Sequence, residues 1–417
     1  MYKLFNNKEG KFIYLTNYKQ FFKIDDLAYD LLSREENTKE KEDMLNRLEK
    51  TLKEVDSYTV KEIKKKRYGL FLCVANTCNA KCKYCFAGQG NYGKENGLMS
   101  YETAVKAIDF FMDNIPSDGI ANIIFFGGEP TLTFSLIEKS VDYVEKRYSL
   151  INYKFHLVTN ATLLTKNMID FLSKHNFSVG VSIDGDPEVQ NKQRPLRNGK
   201  DSYEEATKNL SYLLDNVSYV HARGTYSNFD ESLVKAYKHL LDIGFKEVNI
   251  PPDILNSDQN KNFDKMLEQL DELYDFIVSY SKENKDFPFG VFYEEIRRIF
   301  MPKLDIDYSC GVGESIFSVD IKGDIYPCHR FSSEKDFVLK NLYKEEDIKK
   351  IKYISYDCYN CWNKYTCSHG CFYNDYSLNK SFEKNPFWCR YSKKMTELSL
   401  LLITKLSDNQ LRQILSV

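Results

Sequence analysis

Three cysteines lie within eight residues in the stretch CNAKCKYC, which directly follows the apolar run LFLCVA. The spacing places Cys78, Cys82 and Cys85 on one loop, with no fourth cysteine beside them. A structural zinc site or a closed four-iron cluster takes four protein ligands. Three thiols therefore indicate either a metal group with one open coordination position or a zinc site completed by a distant His or Cys.

Charge and hydropathy exclude several classes of protein. The 417 residues include 58 Lys and Arg against 60 Asp and Glu, a formal net charge of −2, so no basic field indicates nucleic acid. MYKLFNNKEG lacks the apolar core of a signal peptide, and the longest apolar run, LSLLLI, is far shorter than the roughly 18 residues that span a bilayer. We expect a soluble, cytoplasmic protein without nucleic-acid or membrane partners, whose eleven cysteines mainly hold metal.

We expect three domains, at 1–66, 67–300 and 301–417. In the first, KLFNNKEGKFIYLT predicts two short strands around the turn Asn6–Gly10, and DDLAYDLL and KEKEDMLNRLEKTLKEV then favour helices. The run EIKKKR at 62–67 indicates a solvated connector. The third domain contains seven of the cysteines and little periodicity, so we expect bound metal to order it.

The second domain repeats short apolar or β-branched runs between longer helical patterns: LFLCVA, NIIFF, FHLVT, VGVSI, VHARGTY and EVNI. The first helical pattern is the clearest, because Ser100 can cap a helix with one apolar face. That face comprises Val105, Ile108, Met112 and Ile115. The alternation predicts an α/β fold whose parallel sheet curves into a partial (β/α)6 TIM-type barrel.

Polar motifs follow the predicted strands, at the edge where parallel α/β folds collect their chemistry: CNAKCKYC, GGEP, TNAT, SIDG and RGTYS. Tyr84 could pack against a flat ring, and Gly127–Gly128 would let the backbone approach a ligand closely. Glu129 could accept a hydrogen bond from an ammonium group, and Pro130 fixes the turn that follows.

The cysteine spacing, the aromatic residue before the third cysteine and the later GGEP together resemble the radical SAM superfamily. The resemblance implies a [4Fe–4S] cluster on Cys78, Cys82 and Cys85, with S-adenosylmethionine chelating the open iron. One-electron cleavage would give methionine and a 5′-deoxyadenosyl radical that abstracts a hydrogen from the substrate.

The resemblance also implies cofactor contacts at the other strand ends. Ser182 and Asp184 match positions that reach the ribose hydroxyls, Thr159 and Asn160 lie one strand earlier, and Arg223 could meet the cofactor carboxylate. Arg194 is either a salt-bridge partner in a loop or a substrate contact.

The remaining cysteines resemble the seven-cysteine SPASM extension of radical SAM enzymes, including Gly323. The resemblance implies two auxiliary [4Fe–4S] clusters, three clusters in all. One would be held by Cys358, Cys361, Cys367 and Cys389, and the inner one by Cys310, Cys328 and Cys371. Zinc ribbons are the alternative.

Only Cys73 is then left over, in the first predicted strand, where a thiol is usually a small buried hydrophobe. The inner cluster therefore has either an open iron or a ligand other than cysteine. An open iron could bind and deprotonate a substrate thiol, which a substrate radical could attack to form a thioether.

The first domain resembles the small winged α+β domains that bind a leader peptide as an added strand. A structural cap on the barrel is the alternative. CKYCFAGQGNYG resembles the thioether-forming, sactisynthase-like group of ribosomal peptide maturases.

We therefore expect a radical SAM oxidoreductase that installs thioether crosslinks in a Cys-containing precursor peptide with a leader. A flavodoxin or ferredoxin would supply low-potential electrons. The alternatives are a sulfatase maturase, which would have a further cysteine at the inner cluster, and a maturase that forms carbon–carbon links. A non-catalytic iron–sulfur electron carrier or a zinc-dependent interaction protein would belong to a different class. The sequence identifies no catalytic base.

Overall fold

The computed structural model describes residues 1–55, 66–255, 261–301, 310–351, 358–367, 369–380 and 382–416. The predicted connector at 62–67 lies almost entirely outside them. No described helix is long and apolar enough to cross a membrane. The LSLLLI run forms the end of a helix, where four of its leucines are buried.

The amino-terminal unit is a three-stranded antiparallel sheet followed by two helices. Its elements are β1 (Tyr2–Asn7), β2 (Gly10–Leu15), β3 (Gln20–Ile24), α1 (Asp26–Ser33) and α2 (Lys39–Val55). The two predicted strands and both helices are present, and β3 is an additional strand. Gly10, with φ +126°, closes the β1–β2 turn in a conformation that favours glycine.

Six parallel strands in chain order form the centre of a nine-stranded sheet. They are β4 (Arg67–Ala75), β5 (Ile120–Gly127), β6 (Tyr153–Thr159), β7 (Ser178–Ser182), β8 (Tyr219–Arg223) and β9 (Val248–Asn249). Each contains part of one of the six predicted runs. Three further strands extend the sheet beyond β4 in the order β12-β11-β10-β4. They are β10 (Ile316–Val319), which is parallel to β4, and the antiparallel β11 (Asp324–Tyr326) and β12 (Lys340–Asn341).

The remaining helices follow the strands or close the chain. They are α3 (Tyr101–Met112), α4 (Phe134–Arg147), α5 (Lys166–Lys174), α6 (Pro187–Gln193), α7 (Ser202–Thr207), α8 (Leu210–Asn216), α9 (Leu233–Asp242), α10 (Phe263–Glu283), α11 (Tyr293–Phe300), α12 (Lys364–Cys367), α13 (Phe372–Asn379), α14 (Pro386–Ile403) and α15 (Asp408–Ser416). Ser100 caps α3 as predicted, by accepting from the N–H of Thr103 at 3.0 Å. The helix ends at Met112, so Ile115 lies beyond it.

Strand alternation separates an apolar face of the sheet from a polar one. Ala121, Ile123 and Phe125 of β5 are fully buried in the main core, which the helices share. On the other face, Asn122 of β5 lies beside His156 of β6, with 2.9 Å between Oδ1 and Nε2. The strands therefore place polar side chains on one face and hold their carboxyl ends together at one edge.

Candidate active site

Glu129 follows β5 and joins two strand ends. The side chain is buried, with 1% exposure. Its Oε1 accepts hydrogen bonds from the N–H and hydroxyl of Thr131, at 3.0 and 2.5 Å, and from the hydroxyl of Thr159 at 2.7 Å. Its Oε2 accepts from the N–H of Asn160 at 2.8 Å. Burial raises the pKa of the Glu129 carboxyl, although these hydrogen bonds oppose the shift. Only Oε2 has capacity left for an additional donor.

The two glycines before Glu129 pack against backbone. A Cβ on Gly128 would lie 2.1 Å from the carbonyl oxygen of Thr77, and one on Gly127 would lie 2.5 Å from that of Ala75. The close approach that these glycines permit is therefore to the chain leading into the cysteine triplet, whereas the sequence assigned it to a ligand. Pro130 is buried and begins a short 3-10 turn.

Asn160 connects the end of β6 to the first cysteine. Its Nδ2 donates to Oδ1 of Asn79 at 2.8 Å and lies 3.8 Å from Sγ of Cys78. Its Oδ1 accepts from the N–H and hydroxyl of Thr162, at 3.1 and 2.7 Å. Thr159 and Asn160 thus position Glu129 and Cys78 relative to each other.

Asp184 is the centre of a second buried network. Its Oδ1 accepts from Nη2 of Arg194 at 3.0 Å and from the N–H of Thr225 at 2.8 Å, and its Oδ2 accepts from the Tyr84 hydroxyl. The Arg194 guanidinium lies 5.3 Å from the centroid of the Tyr84 ring. Arg194 is therefore a salt-bridge partner of Asp184, and its contact with a substrate stays a prediction. Oδ1 of Asp184 thus accepts two hydrogen bonds from the protein, whereas Oδ2 accepts one and, like Oε2 of Glu129, has capacity left for an additional donor.

Ser182 and Arg223 face each other at the ends of β7 and β8. Gly180 makes room for the arginine, because a Cβ there would lie 2.9 Å from its Cδ. Arg223 is exposed to solvent at the strand end, yet desolvation by the surrounding protein, and next the nearby Arg194, lower its pKa. Among the described residues, the side chains of Ser182 and Arg223 have no hydrogen-bond or ion-pair partner, so both side chains remain available to a ligand.

The three cysteines of the triplet lie close enough to influence one another. Burial, and next Glu129, raise the pKa of Cys78 to about 12, and the thiols of Cys82 and Cys85 add to the shift. Burial raises the pKa of Cys82, although Arg194 opposes the shift. A metal would therefore replace a proton on Cys78 at neutral pH.

Four of the carboxyl-terminal cysteines surround one cavity, which has an empty volume of about 360 Å³. They are Cys358, Cys361, Cys367 and Cys389, the four implied to hold the outer auxiliary cluster. We call this space the outer-cysteine cavity. Burial raises the pKa of Cys367 to about 11, and the Lys384 ammonium opposes the shift.

The other three cysteines form a separate group, in which Cys328 follows β11 in the chain. Burial raises the pKa of Cys328 to about 12, and the thiols of Cys371 and Cys310 contribute to the shift. His329 places Nδ1 3.8 Å from Sγ of Cys328 and stacks on Phe71 with 4.3 Å between ring centroids. The sequence analysis missed His329, although its place next to a cysteine was a usable signal.

The described side chains include no group of three His, Cys, Asp or Glu placed to hold a single metal ion. A [4Fe–4S] cluster differs from such a site because each thiolate binds its own iron atom. Cys73 is fully buried, with Sγ 3.3 Å from the Ser318 hydroxyl. The other ten cysteines thus form groups of three, three and four in space.

The Radical SAM superfamily model matches residues 72–226, which contain the triplet, GGEP, TNAT, SIDG and RGTY motifs. Uncharacterized protein MJ0907 of Methanocaldococcus jannaschii is 34% identical over 52% of this chain and 76% of its own length. The radical SAM cyclopropyl synthase TigE of Paramaledivibacter caminithermalis is 27% identical over 62% of this chain and 56% of its own. The cysteine-type anaerobic sulfatase-maturating enzyme of Clostridium perfringens is 25% identical over 80% of this chain and 96% of its own.

Two solved structures share the fold. Native anSMEcpe with bound AdoMet and Cp18Cys peptide aligns with a TM-score of 0.69 at 21% identity, over 81% of this chain and 99% of that one. Streptococcus suis SuiB bound to the precursor peptide SuiA aligns with a TM-score of 0.54 at 14% identity, over 93% of this chain and 98% of that one. Enzymes of the matched superfamily use S-adenosylmethionine and a [4Fe–4S] cluster. The strand-end motifs, the relatives and the shared fold agree, and this chain belongs to the radical SAM superfamily.

Proposed function

We propose that this chain is a peptide maturase that forms thioether crosslinks in a ribosomally made, Cys-containing precursor peptide. The observation that carries the proposal is the grouping of the cysteines, because the inner group has three cysteines and the only one left over, Cys73, is buried against Ser318. An inner [4Fe–4S] cluster on Cys310, Cys328 and Cys371 would then have one position free for a substrate thiol.

The strand-end residues support the cofactor assignment. Cys78, Cys82 and Cys85 would hold the first cluster, and Ser182 and Arg223 would contact S-adenosylmethionine. Glu129 keeps one oxygen available for the cofactor ammonium, while Asp184 acts mainly by holding Tyr84 and Arg194. When bound, the cofactor would supply the one-electron chemistry that removes a hydrogen atom from a substrate C–H. A cluster held by Cys310, Cys328 and Cys371 would bind the substrate thiolate after loss of its proton and would accept the electron released when the S–C bond forms.

The amino-terminal sheet would bind the leader. Its strand order is β1-β2-β3, so β1 and β3 are its edges and offer unpaired backbone groups to an added strand. The similarity to SuiB, whose solved structure includes a precursor peptide, favours this role. The sheet also packs on the carboxyl-terminal segment, as a structural cap would.

The second candidate is conversion of a Cys or Ser to formylglycine. The chain covers 96% of the Clostridium perfringens sulfatase-maturating enzyme, which is more of a named relative than it covers of TigE. The absence of a fourth cysteine in the inner group argues against this candidate.

Mass spectrometry distinguishes these reactions. A Cys-containing precursor peptide encoded beside this chain is incubated anaerobically with the holoenzyme, S-adenosylmethionine and dithionite. We expect the loss of two hydrogens per modified cysteine, and those thiols should no longer react with iodoacetamide. Loss of mass with every thiol still alkylatable would contradict thioether formation and favour carbon–carbon linkage. A formylglycine product, identified by hydrazide labelling, would favour the second candidate.

A further inference from the structure

The outer-cysteine cavity has a basic border. Besides its four cysteines, it is lined by Lys364, Lys384 and Lys393, and by His369. Within the part of the chain that the structure describes, no Asp or Glu lines it. This local excess of positive charge contrasts with the net charge of −2 of the whole chain.

Two of these lysines have no carboxylate partner among the described residues. Lys384 pairs with the buried Asp375 at 3.0 Å, so its charge is largely compensated. Lys364 donates to the carbonyl oxygen of Tyr359 at 3.1 Å, which leaves two of its three N–H groups free. Lys393 is exposed on α14, one helical turn after Cys389. Lys364 and Lys393 can therefore meet carboxylates of another molecule.

An exposed aromatic residue lies beside the same cysteines. Tyr359, between Cys358 and Cys361, is 68% exposed. Exposed tyrosines surrounded by charged side chains are typical of protein interaction sites, because the ring contributes contact area and the hydroxyl keeps its hydrogen bonds.

We propose that the border of the outer-cysteine cavity is the docking surface for a small acidic protein that carries one electron at low potential. The proposal rests on the proposed function, because it takes the four cysteines to hold an iron–sulfur cluster. The carrier is oxidised by one electron and the outer cluster is reduced by one, with no transfer of atoms. The electron used in cofactor cleavage thus enters the protein at the cluster farthest along the chain from the triplet.

Electrostatic attraction suits such a transient partner. Complementary charges raise the rate of association and make it fall with ionic strength, while the contact stays small enough for rapid release. The lysines around the outer-cysteine cavity therefore favour an acidic carrier over a basic one. The polar strand-end site remains free for the cofactor and the peptide.

Binding is measured directly, by isothermal titration of the anaerobic holoenzyme with an acidic bacterial flavodoxin at low ionic strength. We expect Lys364→Glu/Lys393→Glu to weaken binding at least tenfold. Lys393→Glu alone should weaken it by a smaller factor; this variant guards against local misfolding, since the Lys393 side chain is exposed and makes no hydrogen bond or ion pair among the described residues. The matched control is Lys139→Glu/Lys174→Glu, which reverses two exposed lysines on α4 and α5 and should leave binding unchanged. Equal weakening in the control, or none in the double variant, would overturn the proposal.

A second measurement separates this proposal from the proposed function. The rate of S-adenosylmethionine cleavage is determined with reduced flavodoxin and with dithionite, and the ratio of the two rates should fall at least tenfold in the double variant. An unchanged ratio would argue against entry of electrons at this surface. If the wild-type enzyme cleaves the cofactor with both reductants and shows the expected ratio but forms no thioether, the docking surface stands and the proposed function fails.

Discussion

For Glu129 and Asp184, the sequence predicted the position in the fold but not the hydrogen-bond partners. Both follow predicted strands, and both were predicted to contact the cofactor. Each is in fact the centre of a buried hydrogen-bond network with partners from neighbouring strand ends, such as Thr159 for Glu129 and Thr225 for Asp184. The position of Glu129 and Asp184 at the strand ends was predictable from the sequence. The partners were not, because they depend on which loops the sheet brings together.

His156 is a residue whose charge the fold suppresses. Burial, and next Lys154 and Arg67, lower its pKa to about 4, while Nε2 lies 2.9 Å from Oδ1 of Asn122. In the unfolded chain a histidine titrates near 6.5. Between these values the unfolded state binds a proton that the folded state does not. The free energy of unfolding therefore falls as the pH drops from about 6.5 toward 4.

We predict that His156→Gln, which keeps a hydrogen-bonding side chain beside Asn122 but does not titrate, loses less stability on acidification. Between pH 7.5 and 5.5 the variant should gain about 1 kcal/mol relative to the wild type, and above pH 7 the difference should be constant. Urea unfolding of both holoenzymes across this range measures it. If the free energies of unfolding of the variant and the wild type changed with pH in parallel, His156 would be protonated equally in the folded and unfolded states.

At the scale of elements, the periodic patterns predicted correctly whether a segment is a helix or a strand. Where each element ends depends on its contacts in the folded structure. All six predicted runs contribute to the parallel strands, because buried strands are rich in apolar and β-branched residues. Strands β3 and β10 to β12 were not predicted, since each is short and mixes polar with apolar residues. β10 exists as a strand by virtue of pairing with β4, which no local pattern indicates.

Trp362 is one of several contacts that attach the amino-terminal sheet to the carboxyl-terminal segment, another being the ion pair between Lys405 and Glu9. The rings of Phe5 and Tyr14 pack edge-on against Trp362, with 5.4 and 6.0 Å between ring centroids. The Thr16 hydroxyl donates to the carbonyl oxygen of Trp362 at 3.1 Å. Since Trp362 directly follows Cys361, the sheet rests on the border of the outer-cysteine cavity. The position of this sheet and the order of that cavity are therefore mechanically connected.

We predict that Trp362→Ala loosens this sheet without unfolding the sheet of nine strands. Loss of a half-buried indole should cost about 2 kcal/mol locally, so amide exchange in β1 and β2 should accelerate roughly 30-fold. Hydrogen exchange with mass spectrometry on the holoenzyme measures this effect. Tyr359→Ala, which removes an exposed ring on the other side of Cys361, is the matched control and should leave exchange in β1 and β2 unchanged. Unaltered exchange in the Trp362 variant would mean that other contacts hold the sheet.

At the scale of the whole molecule, the sequence indicated which cysteines belong together only where they are neighbours. The triplet is visible from spacing alone. Cys367 and Cys371 are four residues apart, yet the first lines the outer-cysteine cavity and the second influences Cys328. The resemblance to SPASM proteins implied this separation, and the structure has a physical reason for it. Cys367 ends α12, whereas Cys371 directly precedes α13, and the two residues before Cys371, His369 and Gly370, have φ of +62° and +88°.

This separation predicts that two steps of the reaction respond to different cysteines. Cys82→Ala removes a proposed ligand of the first cluster and should abolish cleavage of S-adenosylmethionine with dithionite. Cys371→Ala should lower the iron content and abolish the crosslinked product, while cleavage continues at a rate within about threefold of the wild type. Chromatography of 5′-deoxyadenosine and mass spectrometry of the peptide, run on the same samples, measure both steps.

The matched control is Cys73→Ala, because Cys73 is the one cysteine outside the three groups and packs as a buried apolar side chain. We expect normal iron content, cleavage and product, with a loss in the free energy of unfolding of about 1 kcal/mol. Native product formation by Cys371→Ala would mean that the inner group only stabilises the fold. Loss of iron from Cys73→Ala would show instead that this thiol completes the inner cluster, which would remove the open position on which thioether formation depends and return the formylglycine reaction to first place.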